Sequence, residues 1–305
     1  MAPSDAQSRL VGFLLVVVAA VAFSGKAIII KLAYRHSVDP VTLLALRMLF
    51  SAPLFALIAW WAVRDPAVPS LTGPDLRAVF GLGLVGYYLA SYFNFLGLQH
   101  ITAALERLIL FVHPTFVLLF SALLFHRRIT SRDVAAVVLS YLGIGLVFGN
   151  DVLTQPGNVA LGSFWVLLSA LLYAGYLIGS GRLVGRVGSL RFASYAGLSS
   201  CVGVLTHYAV TTPDLRLILA QPAPVYWLAL LMAAVSTVLP IVLTSEGLRR
   251  IGASHASIVG SVGPIATVFL GFTFLGEPIT AIQLIGCGLV MGGMLAITLQ
   301  KPKAG

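Results

Sequence analysis

The sequence predicts an all-α integral membrane protein of ten transmembrane helices, arranged as two inverted five-helix repeats. Three observations carry this expectation. Of 305 residues, 59% are hydrophobic and 10% charged, whereas a soluble domain carries roughly 25% charged residues. Apolar runs of spanning length recur along the whole chain, joined by short turn-rich connections. The second half repeats glycines and prolines of the first at one fixed offset, Gly97 falling on Gly247 and Pro114 on Pro264.

A spanning helix takes about 20 mostly apolar residues. Runs at 10–32, 41–63, 76–98, 101–125 and 132–149 predict spans 1–5. Runs at 160–181, 190–212, 224–246, 253–275 and 279–299 predict spans 6–10. The first run is too long for a secretory leader, contains Lys26, and ends without a small-residue cleavage site. Asp39-Pro40, Thr72-Gly73-Pro74 and Pro156-Gly157 supply turn and cap signals between runs. The connections are too short for a soluble domain. Cys201 and Cys287 both fall inside apolar runs, where they read as small packing residues and not as a disulfide.

Charge sets the orientation. The nineteen Lys and Arg residues give a net charge of +9, but they are strung singly or in pairs and form no nucleic-acid patch. Thirteen fall at one end of the spans, from Arg9 through Arg64, Arg127, Arg128, Arg182 and Arg191 to Lys301 and Lys303. Three fall at the other end (Lys31, Arg35, Arg216), and three lie inside spans (Lys26, Arg47, Arg107). The positive-inside rule then places both termini in the cytoplasm, within the cell's inner membrane.

The repeat extends well beyond single matches. FNFLGLQHITAALERLILFVHPTFV (93–117) overlays LTSEGLRRIGASHASIVGSVGPIAT (243–267) without a gap. Gly12 meets Gly162, Gly25 meets Gly175, and Gly143 meets Gly293. The units are 10–149 and 160–299. Each has five spans, an odd number, so tandem copies must cross the bilayer in opposite senses. Inverted repeats of this kind are typical of alternating-access transporters, whose substrate site lies near the midplane between the repeats.

Together with FLGEPIT (274–280), these features make the chain resemble the drug/metabolite transporter superfamily, its EamA-type branch most closely. The resemblance covers roughly 11–299. It implies a transporter that exports a small polar metabolite such as an amino acid. The matching turn of the first half reads HRRIT (126–130), so Arg127 stands where the second half has Glu277. Fold alone does not name a substrate.

Charges inside spans cost about 2.5–3.5 kcal/mol each and mark pathways or pairs. Lys26, Arg47, Glu106 and Arg107 fall at similar depth, roughly 7–10 Å below the outer surface, and suggest an outer gate. Neighbouring helix residues point about 100° apart, so Glu106 would pair with Lys26 or Arg47 and Arg107 would pair elsewhere. A buried structural salt bridge is the competing reading. The excess of positive charge favours a substrate bearing a carboxylate or phosphate. His113 shares a helical face with Glu106, which permits either a proton relay or a structural histidine beside Pro114. Pro114 and Pro264 predict paired bends toward the cavity.

Tyr88, Tyr92 and Asn94 in span 3, and Tyr173 and Tyr176 in span 6, could line a polar cavity or simply pack. Glu246 with Arg249 and Arg250 reads as an interfacial pair, and Glu277 as structural. Gly145-to-Gly149 and Gly288-to-Gly292 could serve as scaffold contacts or as a homodimer face. No metal, hydrolase or phosphate-cradling motif occurs, so no cofactor and no catalytic residue is expected. The expected partners are lipid and a small-molecule substrate. Two other readings stay open: a passive exchanger of small organic anions, and a non-transporting sensor or membrane enzyme.

Overall fold

The computed structural model describes residues 5–64, 71–126 and 129–298, apart from the side chains of a few residues within them. Arg127, Arg128, Lys301 and Lys303 lie outside the described residues, as do the side chains of Arg182 and Ser257. Every described element is helical. Span 1 is α1 (Asp5–Tyr34) and span 2 is α2 (Pro40–Ala62). Span 3 is α3 (Gly73–Gly83), a widened turn at Leu84–Leu89, and α4 (Ala90–Leu98). Span 4 is α5 (Ala103–Leu110) and α6 (His113–Phe125). Spans 5–7 are α7 (Ser131–Thr154), α8 (Val159–Val187) and α9 (Ser189–Thr211). Then follow α10 (Ala223–Ala233), a widened turn at Ala234–Val238, α11 (Leu239–Gly260), α12 (Gly263–Leu270), a widened turn at Gly271–Leu275, and α13 (Ala281–Thr298).

Seven of these spans are long and apolar enough to cross a bilayer, and 263–275 and 281–296 are shorter apolar helices. Span 7 has the length, at 23 residues, but carries Arg191, several serines and His207.

Cap chemistry fixes the boundaries. Asp39 accepts from the amides of Val41 and Thr42 to start α2. Thr72 with Asp75, and Thr130 with Asp133, form capping boxes at α3 and α7. Thr280 and Gln283 exchange the same two bonds at α13. Several boundaries differ from expectation: α1 starts at Asp5 and α8 runs to Val187, and two further differences have a local cause. Span 5 runs past Gly149 to Thr154 because nothing stops it until Gln155, which is extended ahead of Pro156. Spans 8 and 9 are not separated by a loop, and helical bonding is continuous through Leu239–Gly260. In the first repeat Thr102 caps α5. The matching position is Gly252, which has no side chain to cap a new helix.

The packing is two-fold in character. A Cβ on Gly162 would stand 2.9 Å from the Gly97 carbonyl oxygen, and one on Gly247 would stand 3.1 Å from that of Gly12. These two contacts interchange when the repeats are swapped. Likewise a Cβ on Gly143 would stand 2.6 Å from the Gly286 carbonyl oxygen, and Gly293 packs on Ala136. Residue numbers rise on one partner as they fall on the other, so α7 and α13 run antiparallel, as inverted repeats require. The scaffold uses these glycines. Gly145, Gly149 and Gly288 have no described neighbour within 4 Å of a Cβ position, whereas Gly292 faces Leu139 of α7 at 3.5 Å.

Candidate functional site

A cavity of about 300 Å³ lies between the repeats. The widened turns at Leu84–Leu89 and Ala234–Val238 build it. At each, an amide reaches back five residues, from Ala90 to the Val85 carbonyl and from Leu239 to the Ala234 carbonyl. Such turns inside helices concentrate at functional sites. The two occupy matching positions in the repeats, and each turns two residues to the cavity: Gly86 and Tyr87 in the first, Ser236 and Thr237 in the second. Phe23 and Tyr173, Arg47 and Gly197, and Ser91 and Ile241 are further repeat mates that both line it. The cavity therefore straddles the pseudo-two-fold axis.

Its polar groups come mainly from the first repeat. Lys26, Arg47, Asn94, Arg107 and His113 line it, with Tyr173 from the second. Arg47 is buried. Its Nε donates to Thr237 Oγ1 at 3.0 Å, its Nη1 to Ser91 Oγ at 3.5 Å, and its guanidinium lies 5.6 Å from the Phe95 ring. Arg107 lies 5.2 Å over the ring of Phe111 and against Gly263, and its buried Nε has no hydrogen-bond partner among the described residues. Glu106 sits behind the wall at 1% exposure, 3.9 Å from Lys26 Nζ, and accepts from Asn94 Nδ2 at 2.6 Å. Of the two partners expected for Glu106, the structure brings Lys26 and leaves Arg47 to hydroxyls.

His113 has a specific local task. Pro114 lacks an amide, so the carbonyl four residues earlier loses its helical donor. That carbonyl belongs to Leu110, and His113 Nδ1 lies 2.8 Å from it. The helix breaks at Phe111–Val112, between α5 and α6, and the same break recurs at Ser261–Val262 before Pro264. Glu106 and His113 are thus not on one continuous helical face, because the break cancels the spacing argument.

The tyrosines divide. Tyr173 lines the cavity. Tyr176 packs behind it on Gly86 and donates to the Tyr87 hydroxyl at 3.2 Å. Tyr88 and Tyr92 turn to span 7, with ring centroids 5.8 and 4.8 Å from that of His207, and neither lines the cavity.

The EamA-like transporter family matches residues 10–149 and 160–299. The chain belongs to that family. It is 35% identical to uncharacterized transporter YcbK of Bacillus subtilis (strain 168), covering 96% of this chain and 95% of that one. It is 27% identical to uncharacterized transporter sll1319 of Synechocystis sp., over 96% and 94% of the two chains. A protein crystal structure superposes with a TM-score of 0.62 at 18% identity, over 95% and 96%, which shows a shared fold. The EamA-like chain is therefore an integral membrane protein of a transporter family.

Four of the polar groups that the first repeat of this EamA-like protein gives the cavity are backed one turn away by packed apolar side chains. Ile30 follows Lys26, Leu43 precedes Arg47, Leu98 follows Asn94 and Ala103 precedes Arg107, and all four are at most 1% exposed. Beyond this layer, at the face that carries the α1–α2 turn, lies an ionic tie between repeats. Glu277 accepts from the Ala103 amide at 3.1 and 3.2 Å through its two oxygens and lies 3.4 Å from Lys31 Nζ. Lys31 also donates to the Ile101 carbonyl at 2.7 Å, Arg35 to that of Leu275 at 2.7 Å, and Thr102 to Asp151 at 2.6 Å. At the other face Glu246 holds Arg249 and Arg250 at 2.9 and 2.7 Å, and Asp75 pairs with Arg186.

Sequence reasoning missed Ser91, Thr237 and Gly263 of this EamA-like site, and the widened turns themselves. A hydroxyl in an apolar run is an ordinary packing residue, and an extra residue per turn leaves no composition signal. The available clue was the repeat, since Thr237 is the mate of Tyr87 and Gly263 that of His113.

Proposed function

We propose that the protein is a secondary transporter working by alternating access. It exports a small polar metabolite, such as an amino acid, across the inner membrane, with both termini in the cytoplasm. The observation that carries the reading is the inter-repeat cavity, lined by repeat mates and by the cations Lys26, Arg47 and Arg107. Exchange of the two repeats' conformations would move access to it from one face to the other. Asymmetric loop charge supports the orientation. In this reading Lys26, Arg47, Asn94, Arg107, His113 and Tyr173 face the ligand. Glu106 and Tyr176 support them from behind, and Tyr88 and Tyr92 pack. Units 10–149 and 160–299 act as the two moving halves, bending at Pro114 and Pro264. Lipid surrounds them. A homodimer would use the outward Gly145 and Gly149, and cross-linking in the membrane would detect it.

The test is counterflow in proteoliposomes loaded in turn with amino acids, organic anions and organic cations. Saturable exchange of one class supports a carrier, and its absence for all overturns the reading. The positive cavity specifically favours a second reading, a passive exchanger of organic anions. The two readings separate by whether an imposed ion gradient drives accumulation.

A further inference from the structure

We propose that the ligand of this cavity is a net anion, held through its carboxylate or phosphate oxygens by Arg47 and Arg107, with no subsite for an ammonium group. The inference rests on the transporter reading and narrows it.

The charge count at the cavity is three cations to one anion. Lys26 and Glu106 neutralise each other at 3.9 Å. A guanidinium does not give up its proton in a protein, so Arg47 and Arg107 stay charged whatever the burial. Neither has a carboxylate within ion-pair distance among the described residues. Among the described residues the hydrogen-bond partners of Arg47 are the neutral hydroxyls of Thr237 and Ser91. Arg107 has only the face of Phe111, with Nε open. Ser236 Oγ, on the cavity wall, is also buried without a partner. A buried charge left unpaired is costly, and a planar guanidinium suits a bidentate oxyanion. These donors await acceptors.

An amino acid would bring an ammonium group that needs acceptors of its own. Among the described residues the cavity wall contains no acidic residue. Glu106, immediately behind it, is 1% exposed and already serves Lys26 and Asn94. The other described carboxylates are committed at helix ends, such as Asp39, Asp75, Asp133, Asp151 and Glu277. An ammonium placed here would face Arg47 and Arg107 with no described carboxylate on the wall to offset them. The volume of about 300 Å³, at the small end for ligand pockets, fits a compact metabolite.

The experiment uses the full chain with four probes at equal ionic strength: succinate, glycerol 3-phosphate, serine and putrescine. Thermal unfolding is followed by a thiol-reactive dye that reports exposure of the buried Cys201 and Cys287, and counterflow is measured in proteoliposomes. Succinate or glycerol 3-phosphate should raise the melting midpoint and exchange, while serine and putrescine do neither. Which anion wins separates carboxylate from phosphate. Arg47→Gln and Arg107→Gln should each weaken the anion effect at least tenfold. Thr237→Val, which frees Arg47 without changing charge, should weaken it less and guards against a misfolded arginine variant. Exchange of serine or putrescine without the anions overturns the assignment and leaves the transporter reading intact. Anion stabilisation lost in the arginine variants, with no flux of any probe, supports the anion site and overturns the transporter reading. Absence of both flux and anion-specific stabilisation overturns the assignment.

Discussion

Replacing Glu277 should loosen the face at which it ties the two repeats together. Its carboxylate takes the Ala103 amide, which opens an eight-residue helix, and stands 3.4 Å from Lys31. Glu277 and Lys31 are 14% and 25% exposed, so solvent screens the pair only in part. A hydrogen bond to a charged group contributes about 1.5–3 kcal/mol, and a partly exposed ion pair adds at most about 1 kcal/mol. Glu277→Ala should therefore cost about 2–3 kcal/mol, and Glu277→Gln, which keeps an acceptor, about 1 kcal/mol. Each 1.4 kcal/mol is tenfold, so opening at that face should rise about thirty- to a hundredfold in the alanine variant. The assay is the labelling rate of Leu105→Cys, a position fully buried beneath the tie, by a membrane-impermeant maleimide. Labelling that rises in the order wild type, Gln, Ala is expected. A lower melting temperature without faster labelling would show that Glu277 serves α5 alone, and would refute the tie between repeats.

Three further outcomes follow from the same geometry. Gly12→Ala and Gly162→Ala, mates whose added Cβ would stand 2.6 and 2.7 Å from the nearest neighbour, should each destabilise by about 1–3 kcal/mol, read as matched drops in melting midpoint. Thr130→Ala and Thr280→Ala each remove a cap at matching helix starts and should cost about 1 kcal/mol, measured the same way. His113→Ala orphans the Leu110 carbonyl and should cost about 1–3 kcal/mol. Because His113 is held to that carbonyl and lies beyond the break from Glu106, the pH dependence of flux in His113→Gln should match wild type. Its loss would restore the proton-relay reading.

Much of the fold was legible because lipid imposes length, and repetition imposes topology. Ten apolar runs and Gly97 on Gly247 required no knowledge of packing. The breaks near Pro114 and Pro264 were readable because a missing amide has a local consequence. Two things were not readable. Continuous helix through Leu239–Gly260 depends on the absence of a cap at Gly252, which an apolar run does not advertise. The depth of Lys26, Arg47 and Arg107 followed from counting residues, but their convergence on one cavity depends on how three spans pack. The direction of Tyr88 and Tyr92 was hidden by the widened turn at Leu84–Leu89, which adds a residue to that turn and resets the face that follows.

The scaffold is symmetric while its chemistry is not, and this asymmetry has an energetic consequence. If the repeats were identical, exchanging their conformations would leave the energy unchanged, and access from either face would be equally populated. Here Glu277 has Arg127 as its mate, and Lys31 has Gly181, so the same tie cannot form at the opposite face. In the proposed alternating-access cycle the tie would hold one face shut by roughly 2–3 kcal/mol, by the worth of a charge-assisted hydrogen bond and a screened ion pair. A ligand shifts such an equilibrium only by binding one state more tightly than the other. To bring the two states level it must prefer the alternate state by that same amount, about thirty- to a hundredfold in affinity. Arg47 bonds Thr237 across the repeat interface, and Arg107 lies against Gly263 across the same interface. Both cations therefore sit where relative movement of the repeats changes their surroundings. An anion held by the two is placed to supply that preference, whereas a ligand touching one repeat alone would bind both states equally and leave the tied face closed.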